Sequence, residues 1–330
     1  MFKKTWHWVS FLVIFALLLA GCASSQVVER PPLRVEWTDW DGDYTLLVAK
    51  EKGFFEKHGI EVETIYYENF SKVIPDLASN GLDAGLLSLQ DMLSADAVTP
   101  VKTVAAYDSG GTVAVVARSE ITSVADLAGK KVAAVPGSYG DMFVRQMLSS
   151  AGLSLKDIEL VSLDPSEVPG ALTNGTIAAG YVWAPLDQEA LLAGHKILYT
   201  QTTGLISPDV IVFRADVTEQ RPDDVRAFLN AWFEAVAYRQ SNPQESQKII
   251  ASITGSALND ISSTPNLILY NREDNLQFFS QDAARSDTIY DLAGQSVQFK
   301  ILSGDITFLP DLNVIIDPSF LQSPAVSQSQ

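Results

Sequence analysis

The stretch VADLAGKKVAAVPGSYGDMFVRQML, residues 124–148, decides the fold. Asp126 and Gly129 shape a turn, KVAAV then reads as a strand, and a helix follows at once. Ser138 is placed as its N-cap with Asp141 three residues on, and Phe143, Val144, Met147, Leu148 and Ala151 fall on one helical face. A strand that feeds directly into a capped amphipathic helix is one βα unit. The same unit recurs on both sides. Upstream, LRVEW (33–37), IEVETIYY (60–67), DAGLLS (83–88), VKTVAAY (101–107) and TVAVVAR (112–118) read as strands, with helices from Tyr44, around Ser71 to Gly81, and from Gln90. Downstream, IELVSL, IAAGYVW and KILYT are strands, again separated by helices. Because the alternation restarts at Ser123, the chain is α/β with two largely parallel sheets covered by helices on both faces.

The last third carries a different signal. PDDVRAFLNAWFEAVAYRQ (222–240) has Pro222 near a helix start and an apolar stripe of Val225, Phe228, Leu229, Trp232, Phe233 and Val236, which makes it a core-facing helix. With 330 residues and 47% hydrophobic side chains, the chain can bury a sizeable core and has room for about two domains. Its 23 basic and 40 acidic residues give a net charge of -17, which repels phosphate backbones, so no nucleic-acid partner is expected.

Lys3 and Lys4, the apolar run from Trp8 to Ala20, and the sequence LAGC ending at Cys22 describe a cleaved export signal. LAGC resembles the lipobox of bacterial lipoproteins, which implies lipidation of Cys22 and attachment to a membrane of the cell envelope. Cys22 is the only cysteine, so no internal disulfide can form. Residues 1–21 are then the signal peptide and 22–32 a lipidated tether. No HExxH, CxxC pair, GxSxG, Walker or GxGxxG motif is present, and His58 and His195 stand far apart. Neither catalytic residues nor a cofactor is implied.

A candidate wall for a ligand lies in VEWTDWDGDY (35–44), which sets two tryptophans and three aspartates where the first strand runs out. As an EF-hand loop it would need glycine and glutamate where Tyr44 and Lys50 stand, so that reading fails. It reads instead as a capping turn at Asp41 to Asp43 and a ligand wall at Trp37, Asp39 and Trp40. The helix start at Ser138 exposes N–H groups suited to an anionic or hydrogen-bond-accepting ligand. Ser138 has a capping role to explain it, whereas Tyr139 does not.

KGFFEKHGIEVE (52–63), NGLDAG (80–85), DLAGKKVA (126–133), PGSYGDMFVRQML (136–148), ALTNGTIAA (171–179) and VWAP (182–185) stand together in an order and spacing that resemble one known group. These are the nitrate, sulfonate, taurine and thiamine-precursor solute-binding proteins of ABC importers. The resemblance implies a type II periplasmic-binding-protein fold with a first lobe of 33–117 plus 205–330 and a second of 118–204, joined by two crossover strands. Gly110 and Gly111 would serve as a hinge. It further implies capture rather than reaction, by a monomer that hands a small molecule to an ABC permease. VWAP looks like the group's Trp-Glu-Pro motif with Ala184 in place of the glutamate, leaving Trp183 as a ligand platform. The expected lining is Trp37, Asp39, Trp40, Tyr44, Ser88, Gln90, Asp108, Ser138, Tyr139 and Trp183. Aromatic faces with carboxylates suit a pyrimidine-like or other nitrogenous solute better than a sulfonate or nitrate.

Overall fold

The computed structural model describes residues 30–200, 207–256, 264, 266–282, 285 and 287–322. The export-signal segment and Cys22 lie outside the described residues. Among the described residues eleven strands form in chain order: β1 (Leu33–Trp37), β2 (Val62–Tyr66), β3 (Ala84–Ser88), β4 (Val101–Ser109), β5 (Val113–Ala117), β6 (Lys131–Ala133), β7 (Glu159–Val161), β8 (Ala179–Trp183), β9 (Lys196–Thr200), β10 (Asp209–Arg214) and β11 (Ile268–Leu269). They make a six-stranded sheet ordered β11-β4-β10-β3-β1-β2 and a five-stranded sheet ordered β7-β6-β8-β5-β9.

The two sheets share one plan. Three parallel strands, β2-β1-β3 in the first and β7-β6-β8 in the second, are followed by an antiparallel strand and then a fourth strand in the original sense. In this shared plan the antiparallel members are β10 and β5, the strands laid down directly after the chain has passed between the lobes, and β11 adds an antiparallel edge to the first sheet. Each sheet is therefore mixed rather than largely parallel, because a chain leaving one lobe enters the other in the opposite sense. The pairing of β5 with β8 and β9 also moves the boundary between the lobes. Residues 113–117 belong to the second sheet, and the passage falls at Gly110 and Gly111, ahead of the division expected at 117/118.

Period-two alternation explains how the second lobe packs. Val115 and Ala117 of β5 join a cluster with Phe143, Met147 and Tyr181 on one face of the sheet, while Ala114 and Val116 join Val168 and Leu172 on the other. The five helices that matter here are α1 (Tyr44–Glu51), α2 (Leu89–Asp96), α3 (Tyr139–Ser150), α4 (Pro222–Ser241) and α5 (Ile289–Ser303). The six apolar positions expected on α4 are all buried. Phe228 stacks at 5.3 Å on Phe55, which is fully buried, and lies 5.9 Å from Trp232. Burying side chains of this size contributes about 1.5–3 kcal/mol each. Among the described residues no helix is long and apolar enough to cross a membrane.

Candidate functional site

The carboxyl ends of β1, β3, β6 and β8 converge on a cavity of about 160 Å³ between the lobes. That is room for roughly ten water-sized spheres, and its position is where open α/β sheets take ligands. From the first lobe come Thr38, Trp40 and Asp43 of the loop before α1, Ser88 and Asp91 at the start of α2, and Asp209 at the start of β10. From the second come the residues before and at the start of α3, together with Tyr181 and Trp183 of β8.

Five of the ten expected residues line this cavity: Trp40, Ser88, Ser138, Tyr139 and Trp183. The other five do not. Trp37 packs on Tyr66, its register partner on β2, at 4.6 Å and on Tyr44 at 6.4 Å, so both Trp37 and Tyr44 are core residues. Asp39 accepts a 2.5 Å hydrogen bond from the Tyr66 hydroxyl at the surface. Gln90 is buried and donates to Ser296 Oγ at 2.9 Å and towards the Met142 sulfur at 3.3 Å. Asp108 is wholly buried behind Trp40, whose Nε1–H donates to its Oδ2 at 2.8 Å.

Trp40 sits where two missing side chains allow it. A Cβ at Gly42 would come 1.6 Å from Asp108 Oδ2 and 2.9 Å from Trp40 Nε1, and one at Gly111, whose φ is +75°, would meet the far edge of the indole at 2.3 Å. The capping role expected of Asp43 is absent. It makes no side-chain cap bond to α1 and instead accepts from Thr38 N, Thr38 Oγ1 and the Tyr107 hydroxyl, each at 2.8 Å, bracing the loop from inside.

Three of the N–H groups at the start of α3 are already taken by the chain's own side chains. Ser138 caps it by accepting from Asp141 N, but the Gly137 N–H donates to Asp141 Oδ2 at 2.9 Å and the Tyr139 N–H to Asp91 Oδ1 of the first lobe at 3.3 Å. The chain's own carboxylates thus occupy the positive end of this helix. Other bonds join the lobes at both margins of the cavity. Ser94 Oγ donates to the Gly137 carbonyl at 3.0 Å on one side, and Ser71 N to Asp164 Oδ2 at 2.9 Å on the other, where Phe70 meets Trp183 edge to face at 5.8 Å.

The electrostatics are dominated by buried acids. Loss of hydration pushes Asp43 up to about 7 against the pull of its bonds from Thr38 and Tyr107. It does the same to Asp209, up to about 7, with the charges of Asp43 and Asp91 adding to the effect. Burial also holds Asp108 well above the usual carboxylate range, reinforced by Asp209 directly opposite on the neighbouring strand. Asp91 is raised by burial and eased by Ser88 and the nearby Lys300. No arginine, lysine or histidine is among the described residues that line the cavity.

The residues missed from sequence are chiefly Asp43, Asp91, Tyr107, Tyr181 and Asp209. Tyr181 stands two residues before Trp183 on β8, so alternation alone puts both on one face. Asp209 opens the returning strand β10, where the antiparallel ladder sets it opposite Asp108 near the end of β4.

With this geometry in view, residues 43–246 match the family model described as NMT1/THI5 like, well over half of the chain. The chain belongs to the NMT1/THI5-like family. A Bacillus subtilis (strain 168) protein provisionally named an aliphatic sulfonates-binding protein is 27% identical over 325 residues, spanning 94% of both chains. The crystal structure of the periplasmic aliphatic sulphonate binding protein SsuA from Escherichia coli superposes with a TM-score of 0.67 at 21% identity, over 88% of this chain and 99% of that one. A desulfurization enzyme, DSZB, shares the fold with a TM-score of 0.61 at 17% identity, over 88% and 98% of the two chains. This NMT1/THI5-like chain thus has the two-lobe architecture of periplasmic binding proteins, on which nature has also built an enzyme.

Proposed function

We propose that this NMT1/THI5-like chain is an exported solute-binding lipoprotein, monomeric and tethered through Cys22, that captures a small nitrogenous solute between its lobes and delivers it to an ABC importer. One observation carries the ligand class: the helix start that would serve an anion is filled by Asp91 and Asp141, while Asp43 and Asp209 face the cavity. A sulfonate or nitrate placed there would meet carboxylates and no cationic side chain among the described lining residues. The aromatic faces of Trp40, Tyr181 and Trp183 suit a flat, nitrogen-bearing group instead.

Capture without turnover fits a cavity in which Asp91 and Asp43 are held by structural hydrogen bonds. Asp91 holds Ser88 and Tyr139 N, Asp43 holds Thr38 and Tyr107, and no histidine or thiol is placed beside them among the described residues. The test is a thermal-shift panel of aminopyrimidines, amines, sulfonates and nitrate on the chain starting at Ala23. Stabilisation by nitrogenous compounds is expected, and stabilisation by sulfonates or nitrate alone would overturn the reading. For the anchor, Cys22→Ser is expected to move the protein from the membrane fraction to the soluble fraction. An unchanged distribution would remove lipidation at Cys22.

A further inference from the structure

Two carboxyls on neighbouring strands, with no cation beside them, need an explanation. Asp108 on β4 and Asp209 on β10 are register partners in an antiparallel ladder. Oδ2 of Asp108 is occupied by the Trp40 indole N–H, and Oδ1, fully buried, has no N–H or O–H donor among the described residues other than what Asp209 can offer. Asp209 keeps part of its surface open to the cavity. A proton held on Asp108 and donated to Asp209 satisfies both side chains, leaving one negative charge, on the carboxyl that faces the cavity.

We infer, building on the reading above, that the captured solute is a cation of the amidinium, ammonium or protonated-heterocycle class, seated on Asp209 with Asp43 behind it. Asp108 is the neutral donor that fixes Asp209 in place. Every charged or titratable group facing this seat has the same effect or none of its own. Glu36 on β1, Asp39 and Asp43 in the loop after it, Asp91 on α2, and Tyr107 and Asp108 on β4 are acids, and among the described lining residues the titratable groups of the second lobe are the hydroxyls of Tyr139 and Tyr181. Lys300 of α5 is spent on Ser94 and the Gly137 carbonyl and acts on Asp91. Among the described residues no group of three or more potential metal ligands is arranged to hold an ion, so the charge sought is that of an organic solute.

Burial keeps Asp43 and Asp209 titrating at about 7, so a bound cation favours their ionised forms and expels protons. Affinity then rises as pH rises through 7, by about tenfold between pH 6 and 8 for each carboxyl that the ligand ionises. The experiment compares three flat isosteres by thermal shift and calorimetry: benzamidinium, benzamide and benzenesulfonate. The expected result is preference for benzamidinium, proton release on binding at pH 7, and tighter binding at pH 8 than at pH 6. Asp209→Asn is expected to abolish the preference. Asp108→Asn, a mimic of the neutral donor, is expected to keep both the preference and the pH dependence. Equal response to benzamidinium and benzamide, or no response to any of the three, overturns the cation seat. If benzamide binds, the broader reading of a nitrogenous ligand stands. Response to benzenesulfonate alone overturns both. Loss of the preference in Asp108→Asn with its retention in Asp209→Asn, each checked for native circular dichroism, would reverse the assignment of the two carboxyls.

Discussion

The two lobes share a strand order but bring different chemistry to the cavity. The first supplies Asp43, Asp91 and Asp209, with Asp108 behind them, beside the rings of Trp40, Phe70 and Tyr107, and the second supplies the rings of Tyr139, Tyr181 and Trp183 with no carboxylate among its described lining residues. The first lobe also has the heavier core, in which α4 layers Phe228 and Trp232 against Phe55, Phe213 and Tyr107. The second lobe spreads a thinner core over both faces of one small sheet. The proposed reading puts charge selection in the lobe that can best bear the cost of burying carboxyls.

The sharpest way to break this contrast is in the first core. Trp232→Ala removes a fully buried ring and is expected to cost about 3–5 kcal/mol in a denaturant titration. A cost below that of Phe143→Ala in the second lobe would reverse the ranking. The second test uses pH. Asp43 and Asp209 hold their protons up to about 7 when folded and lose them at ordinary carboxylate pH when unfolded. The folded state therefore binds more protons between roughly pH 4 and 7, and stability falls as pH rises through that window, by on the order of a few kcal/mol. The unliganded protein should melt higher at pH 5 than at pH 8, and Asp209→Asn should flatten the slope. A melting temperature that climbs steadily from pH 5 to 8 would show the acids ionised in the folded state.

Smaller effects sharpen the division of labour. Gly42→Ala must push aside Asp108 or Trp40, at about 1–3 kcal/mol, and should disturb ligand preference along with stability. Trp183→Ala should lower the melting temperature of the unliganded protein less than Trp232→Ala does and weaken ligand binding by about 1 kcal/mol, since the ring is half-buried and meets Phe70 and Tyr181 edge to face. Binding at full strength in this variant would take the second lobe's tryptophan out of the site.

Much of this architecture was legible in the sequence because its signals are local. The βα restart at 124–148, the cap at Ser138 and the stripe on α4 each depend on residues within a few turns of one another. The site was half legible for the same reason. Trp40 and Trp37 look alike in VEWTDWDGDY, and only the pairing of β1 with β2, which puts Tyr66 beside Trp37, tells core from wall. Asp209 was missed because its meaning comes from Asp108, its neighbour across a ladder whose strands lie a whole lobe apart in sequence. The antiparallel sense of β5 and β10 was hidden likewise, since an apolar strand reads the same in either direction.

The strand plan also sets an order of assembly. Residues 113–200 contain every strand of the second sheet in one continuous run, whereas the first sheet lacks its member between β3 and β4 until residues 209–214 arrive. A chain emerging from its amino end can therefore complete the second lobe while the first still exposes two open edges, and unpaired edges invite pairing with other chains. β10 is the segment whose late arrival seals the first lobe, and it brings Asp209 to the cavity in the same stroke.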